Sequence, residues 1–165
     1  MPIDYLSVLT SHTTPAQKSF YLDPNGEVQS GRFPNLKWFS HRSVEVSSLS
    51  SLSEEIKKIE GSPHDLVVRG TLVEGQDPAN TERNKHTLEP QPRHWCMLDL
   101  DNIPLPDQLS DIEKHRIDLV KTAVGYLPKE FHEVDCWYQF SASMGIKEGI
   151  RLHLWYWLDR ATSDQ

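Results

Sequence analysis

The stretch His94-Trp95-Cys96-Met97-Leu98-Asp99-Leu100-Asp101 decides how this chain is read. Successive side chains of a strand point to opposite faces, so Asp99 and Asp101 share one face and Leu98 and Leu100 the other. Two carboxylates about 7 Å apart on one side of a strand repel each other unless a cation stands between them. Mg²⁺ or Mn²⁺ suits that arrangement, because both take oxygen ligands and commonly combine one or two carboxylates with phosphate oxygens of a nucleotide. The same Asp-x-Asp-Asn before Pro104 is also good turn chemistry, so a plain strand end is the competing reading.

About forty residues further on, two more strands are expected, Trp137–Ser143 and Ile150–Asp159. In the second, Leu152, Leu154, Tyr156 and Leu158 fall on one face and suit a core, while Arg151, His153, Trp155 and Trp157 fall on the other. Arginine and histidine both donate to phosphate oxygens, which gives that face a use beside a carboxylate pair. A lone histidine on a strand is otherwise a half-buried, satisfied side chain. Ser141 and Ser143, ahead of Gly145 and Gly149, read either as turn residues or as a loop that lets phosphate approach the backbone closely. The two tryptophans suit stacking on a base or packing against further protein.

The order of these elements, Asp99-x-Asp101, then Ser141-Ala142-Ser143-Met144-Gly145, then Arg151-Leu152-His153-Leu154-Trp155, resembles the archaeo-eukaryotic primase superfamily, the primase-polymerases. The resemblance covers roughly residues 65–160 and is nearest to the primase-like N-terminal domains of phage, plasmid and mobile-element replication proteins. It implies nucleotidyl transfer in DNA replication, with Asp99 and Asp101 as catalytic metal ligands for Mg²⁺ or Mn²⁺. It also implies that Ser141, Ser143, Arg151 and His153 bind the nucleotide. DNA template and primer, nucleoside triphosphates and a helicase part of the same protein are the partners it implies, in the cytoplasm and away from membranes. The family's third motif, a hydrophobic residue followed by an acid, has no clear counterpart. Asp159 lies about 20 Å from His153 along an extended strand and is expected to begin the next turn. The third acid is therefore expected beyond Gln165, in a chain cut short at its C-terminus.

The expected fold class is α+β: an RRM-like antiparallel sheet core with helices on one face, over residues 65–165, plus a small β-rich module with one short helix over residues 1–64. The turn Asp23-Pro24-Asn25-Gly26 marks a hairpin in that module. Ser51-Leu52-Ser53-Glu54 reads as a capping box opening a helix that Gly61 ends, and Ser110-Asp111-Ile112-Glu113 as a second one, whose helix Pro128 stops. Glu74–Pro92 is polar and reads as one long loop.

With 165 residues, 37% of them apolar, the chain can bury one core with generous loops. A net charge of −7 argues against a protein that coats nucleic acid. It leaves room for a local basic groove, for which Arg32, Arg42, Arg69, Arg83, Lys85 and Arg93 are candidates, each also suited to a solvated surface. Cys96 and Cys136 lack Cys-x-x-Cys spacing, and with no signal peptide or long apolar run they read as buried free thiols in a reducing compartment. Two rival functions use the same residues. One is a metal-dependent phosphodiesterase or nuclease; the other is a non-catalytic nucleic-acid-binding domain that keeps the fold without the chemistry.

Overall fold

A computed structural model of the chain, described over residues 2–163, shows a mixed α+β fold with eleven strands and two α-helices among the described residues. The chain divides into two compact units, one formed by residues up to Trp95 together with those from Leu158 onward, the other by Cys96–Trp157. None of the described helices is long and apolar enough to cross a membrane.

In the first unit, β1 (Asp4–Ser11) is the central strand, with Leu6, Val8 and Leu9 fully buried. β2 (Phe20–Leu22) and β3 (Val28–Ser30) form the hairpin expected around Asp23-Pro24-Asn25-Gly26. Gly26 takes the positive φ of +82°, and the Asp23 carboxylate accepts the N–H groups of Asn25 and Glu27, each at 2.9 Å. β4 (Trp38–Val46) leads into α1 (Leu49–Glu60), which buries Leu52 and Ile56. The capping box sits three residues earlier than the Ser51-Leu52-Ser53-Glu54 pattern suggests. Ser48 is the N-cap and Ser51 answers from the third helical position; a serine hydroxyl there does what a glutamate usually does.

β5 (Asp65–Val68), β6 (Thr71–Leu72), β7 (Thr81–Glu82) and β8 (Leu88–Glu89) follow. The polar segment Glu74–Pro92 is thus not a single loop, since it contributes two short strands. The order β5-β1-β4-β7 makes a four-stranded sheet, with β6 and β8 pairing separately. Because β5 pairs with β1, residues 65–95 belong with the N-terminal strands, and the division falls after Trp95 rather than after residue 64. Long-range pairing overrides proximity in sequence here.

β9 (Arg93–Ile103) begins in this first unit. Arg93 and Asp4, 5% and 6% exposed, form an ion pair at 3.1 Å, and the other Asp4 oxygen accepts the N–H of His94. The remaining Arg93 donors reach the Thr71 hydroxyl at 2.5 Å and the Arg69 carbonyl at 3.4 Å. Arg93 is therefore a structural cation and no part of an open groove. Arg42 is likewise paired, to Asp65 at 3.0 Å.

The second unit holds the rest of β9, α2 (Arg116–Val124), β10 (Trp137–Phe140) and most of β11 (Ile150–Thr162), with sheet order β10-β11-β9. The helix starts later than its serine signal. Asp111 caps a turn by accepting the N–H of Lys114 at 3.2 Å, and regular helix begins only at Arg116. α2 buries Leu119, Val120 and Ala123. The Arg116 guanidinium lies 4.9 Å from the Phe140 ring, and Phe131 meets Tyr156 edge-on at 4.9 Å. These contacts put α2 and its following turn on the Phe140/Tyr156 side of the sheet, where Leu152 and Leu154 are also fully buried. Burial pushes the Tyr156 phenol above its usual range, helped by the Cys136 and Cys96 thiols, and burial also raises the Cys136 thiol. A thiol held protonated is a poor nucleophile and packs as a small apolar group.

A buried charge that loses its partner destabilises strongly. Asp4→Ala is expected to cost about 3–5 kcal/mol in urea denaturation, with Asp4→Ala/Arg93→Met costing less than the sum of the single changes. Additive losses would show that the two charges do not depend on each other.

Candidate functional site

Strand pairing in the second unit assembles the candidate residues on one face. Gln139 lies opposite His153 in the β10–β11 register, and Tyr138 opposite Leu154. His153 and Gln139 thus take the face away from α2, while Tyr138, Leu152, Leu154 and Tyr156 take the covered one. From β9, Asp99 Oδ1 comes within 3.5 Å of His153 Nε2, and Asp101 Oδ2 within 2.7 Å of Arg151 Nη2. Residue numbers rise on β9 as they fall on β11, as antiparallel neighbours require. The four side chains form two cross-strand pairs of opposite character side by side.

The two pairs differ in burial. Arg151 is 8% exposed, and its donors are shared out among protein acceptors. Nε donates to the Ser143 hydroxyl at 2.9 Å, Nη1 to the Asn102 side-chain oxygen, and Nη2 to Asp101. Its backbone N–H meets the Met144 sulfur at 3.3 Å. Asp99 and His153 are more open, at 58% and 33% side-chain exposure. Asp101 keeps 44% side-chain exposure despite its arginine.

Ser141 and Ser143 shape the loop between β10 and β11. Their hydroxyls are 2.9 Å apart, and the Ser143 N–H donates to Ser141 Oγ at 3.3 Å. Ser143 is 3% exposed, so it positions Arg151, while Ser141 stays half-buried. Gly149 has a φ of +77°, and a Cβ there would stand 2.8 Å from the Ile103 carbonyl oxygen. The loop can close onto β9 only because residue 149 has no side chain.

Asn102 was not singled out from sequence. Its φ of +61° is the only positive value outside glycine among the described residues. Adjacent strand residues face opposite sides, yet Asp101 and Asn102 both bond to Arg151. The left-handed conformation breaks the alternation and brings them together. An asparagine directly after Asp-x-Asp was the available signal, since asparagine tolerates that region better than most residues.

Trp155 is 5% exposed and its indole N–H donates to Gln139 Oε1 at 2.8 Å, so it is no open stacking platform. Asp159 does not begin a turn: β11 continues through Thr162, leaving Asp159 exposed in the strand, six residues past His153.

Known proteins give no direct guide: no family model matches the chain, and neither a curated protein nor a solved structure matches it. The chemistry must come from the residues themselves. Among the described residues, no group of three or more His, Cys, Asp or Glu is disposed to hold a metal ion. A hard cation that takes one or two carboxylates and draws its other oxygens from water or phosphate would be held here by Asp99 and Asp101. A carboxylate paired with arginine retains lone pairs for a second partner.

Gly149→Ala adds both a left-handed alanine and a backbone clash, and is expected to destabilise by about 2–4 kcal/mol. Gly26→Ala, at φ +82° with nothing within 4 Å of the new Cβ, is expected to cost only about 1 kcal/mol. Equal losses in thermal or urea unfolding would show that the close approach of residue 149 to β9 carries no energy.

Proposed function

We propose that the Asp99/Asp101 face is a metal-dependent nucleotide site of the primase-polymerase type, serving nucleotidyl transfer on DNA. One observation carries the reading: two half-exposed carboxylates share an open sheet face with His153 and with a buried arginine that fixes one of them. Mg²⁺ or Mn²⁺, when bound, would neutralise the triphosphate and favour attack by a 3′ hydroxyl.

The chain's own residues divide the work. Asp101, held by Arg151, presents its free oxygen in a fixed place. Asp99 presents a second carboxylate whose weak contact with His153 is easily exchanged. His153, one-third exposed, is placed to donate to a phosphate oxygen, and Ser141 lines the approach. Arg151 acts mainly through Asp101, because its donors already serve Asp101, Asn102 and Ser143. Its positive charge still contributes to the field at the face.

A second reading, a binding domain without catalysis, draws on the same Arg151–Asp101 contact, which lowers the negative charge available to a metal. Calorimetry with Mn²⁺ separates the two. Mn²⁺ alone is expected to bind weakly, and a nucleoside triphosphate to tighten it at least tenfold, because its phosphates supply oxygens the protein lacks. Asp101→Asn and Asp99→Asn are each expected to remove that enhancement and any primer extension. Mn²⁺ affinity indifferent to triphosphate and to both substitutions would sink the proposal. Cleavage of DNA without any triphosphate requirement would replace it with the phosphodiesterase.

A further inference from the structure

The first unit carries a shallow, solvent-open cavity of about 370 Å³ lined by Val68, Arg69, Gly70, Arg83, Asn84, Lys85, Leu88 and Pro90. Three of its lining residues are cationic and none is acidic. In a chain with 24 acidic and 17 basic residues, such a concentration of one sign is a local field opposed to the net charge.

The cations are set by structure. Thr87 Oγ1 donates to the Asn84 carbonyl at 3.1 Å, and the His86 N–H donates to Asn84 Oδ1 at 2.8 Å, tying the turn Asn84–Thr87 to itself. The Arg83 N–H is anchored to the Lys37 carbonyl at 3.0 Å. With the backbone held, the exposed side chains of Arg83 and Lys85 lie on either side of Asn84. β6 and β8 pair through Thr71↔Glu89 and Leu72↔Leu88, and Gly70, just before β6, approaches Leu88 closely. A Cβ on Gly70 would lie 3.2 Å from that of Leu88. Arg69 stands 5.7 Å from the Trp95 ring centre, a cation–π distance that steadies its guanidinium. Two carboxylates flank the lining: Glu82 accepts from Asn84 Nδ2 at 3.0 Å, at the edge of the cavity, and Glu89 accepts from Gln91 Nε2 at 3.2 Å, so the three cations outnumber the acids beside them.

We propose that this cavity binds phosphate groups, with Arg83 and Lys85 as the principal ligands and Arg69 as a fixed positive wall. A guanidinium matches phosphate oxygens with paired donors and an ammonium meets them as a point charge. The phosphate can come from a nucleic-acid strand or from a free nucleotide. The site needs no metal and stands apart from the nucleotidyl-transfer reading.

The test is binding of a labelled oligothymidylate by fluorescence anisotropy, and of adenosine triphosphate by calorimetry, both in EDTA. Arg83→Ala/Lys85→Ala is expected to weaken the bound probe at least tenfold, while Lys18→Ala/Lys114→Ala, an equal charge change at exposed positions elsewhere, leaves it within about twofold. If the strand is the ligand, the slope of log affinity against log salt should fall by about 1.4, that is, about 0.7 for each of two phosphates no longer neutralised. Loss for the strand alone assigns the phosphate to a nucleic-acid backbone, and loss for the triphosphate alone assigns it to a nucleotide. No binding of either probe, unchanged binding by the cavity variant, or equal loss in both double variants would overturn the proposal. Both probes are read in EDTA, without the metal that the nucleotidyl-transfer reading requires, so failure of that reading would leave this result intact.

Discussion

The second unit is organised around the need to neutralise one buried guanidinium. Arg151 is more than nine-tenths buried, and a charge removed from water costs several kcal/mol unless opposite charge and hydrogen bonds replace the solvent. Its partners come from two separate segments. Asp101 and Asn102 lie on β9, and Ser143 lies in the β10–β11 loop. Satisfying a single cation therefore ties β9 to β11, turns Asn102 into the left-handed region and folds the serine loop inward. Gly149 permits the loop to reach β9 at all. Remove the charge, and none of these local choices has an evident cause.

That constraint reassigns roles within the candidate site. An arginine on a strand beside two aspartates invites a direct role in phosphate binding. A guanidinium already engaged by carboxylate, amide and hydroxyl has little left to offer a ligand except its field. Ser143 follows the same logic, being buried beneath the arginine. The groups that remain open are Asp99, His153, the outer side of Asp101 and part of Ser141. The chemically accessible site is smaller than the set of residues that builds it.

Alternation along strands was the most legible part of the sequence. It placed Asp99, Asp101, Arg151 and His153 together on the face opposite Leu152 and Leu154, because a period of two leaves no freedom once one face is buried. The hairpin at Asp23–Gly26 was equally legible, since its turn chemistry is local. What could not be read depended on distant partners. The boundary after Trp95 follows from β5 pairing with β1, and the role of Arg93 follows from Asp4, far away in sequence. Both helix starts were misplaced by serine-rich signals. Ser48 outcompeted Ser51 as a cap, and the Ser110 signal opened only a turn. Asn102 was visible as a residue type but not as a conformation, because its positive φ is sustained by a contact from β11.

The two carboxylate contacts on the open face are unequal, and on the proposed reading the inequality has a functional sense. Asp101 meets Arg151 at 2.7 Å with the arginine nearly buried, whereas Asp99 meets His153 at 3.5 Å with both groups open to water. An exposed pair at that distance contributes roughly 0–1 kcal/mol, so exchanging it for a metal–phosphate contact costs little. A pair anchored by a buried cation is not exchanged so cheaply, since leaving Arg151 unpaired would cost several kcal/mol. A metal approaching this face would find one carboxylate whose position is set before binding and another free to adjust. His153, released from Asp99, would become available to the incoming phosphate at the same moment. On the proposed reading, preorganisation on one side and exchange on the other would let the face stay folded without ligand and still coordinate one, a division that two equivalent exposed aspartates on a bare strand would not provide.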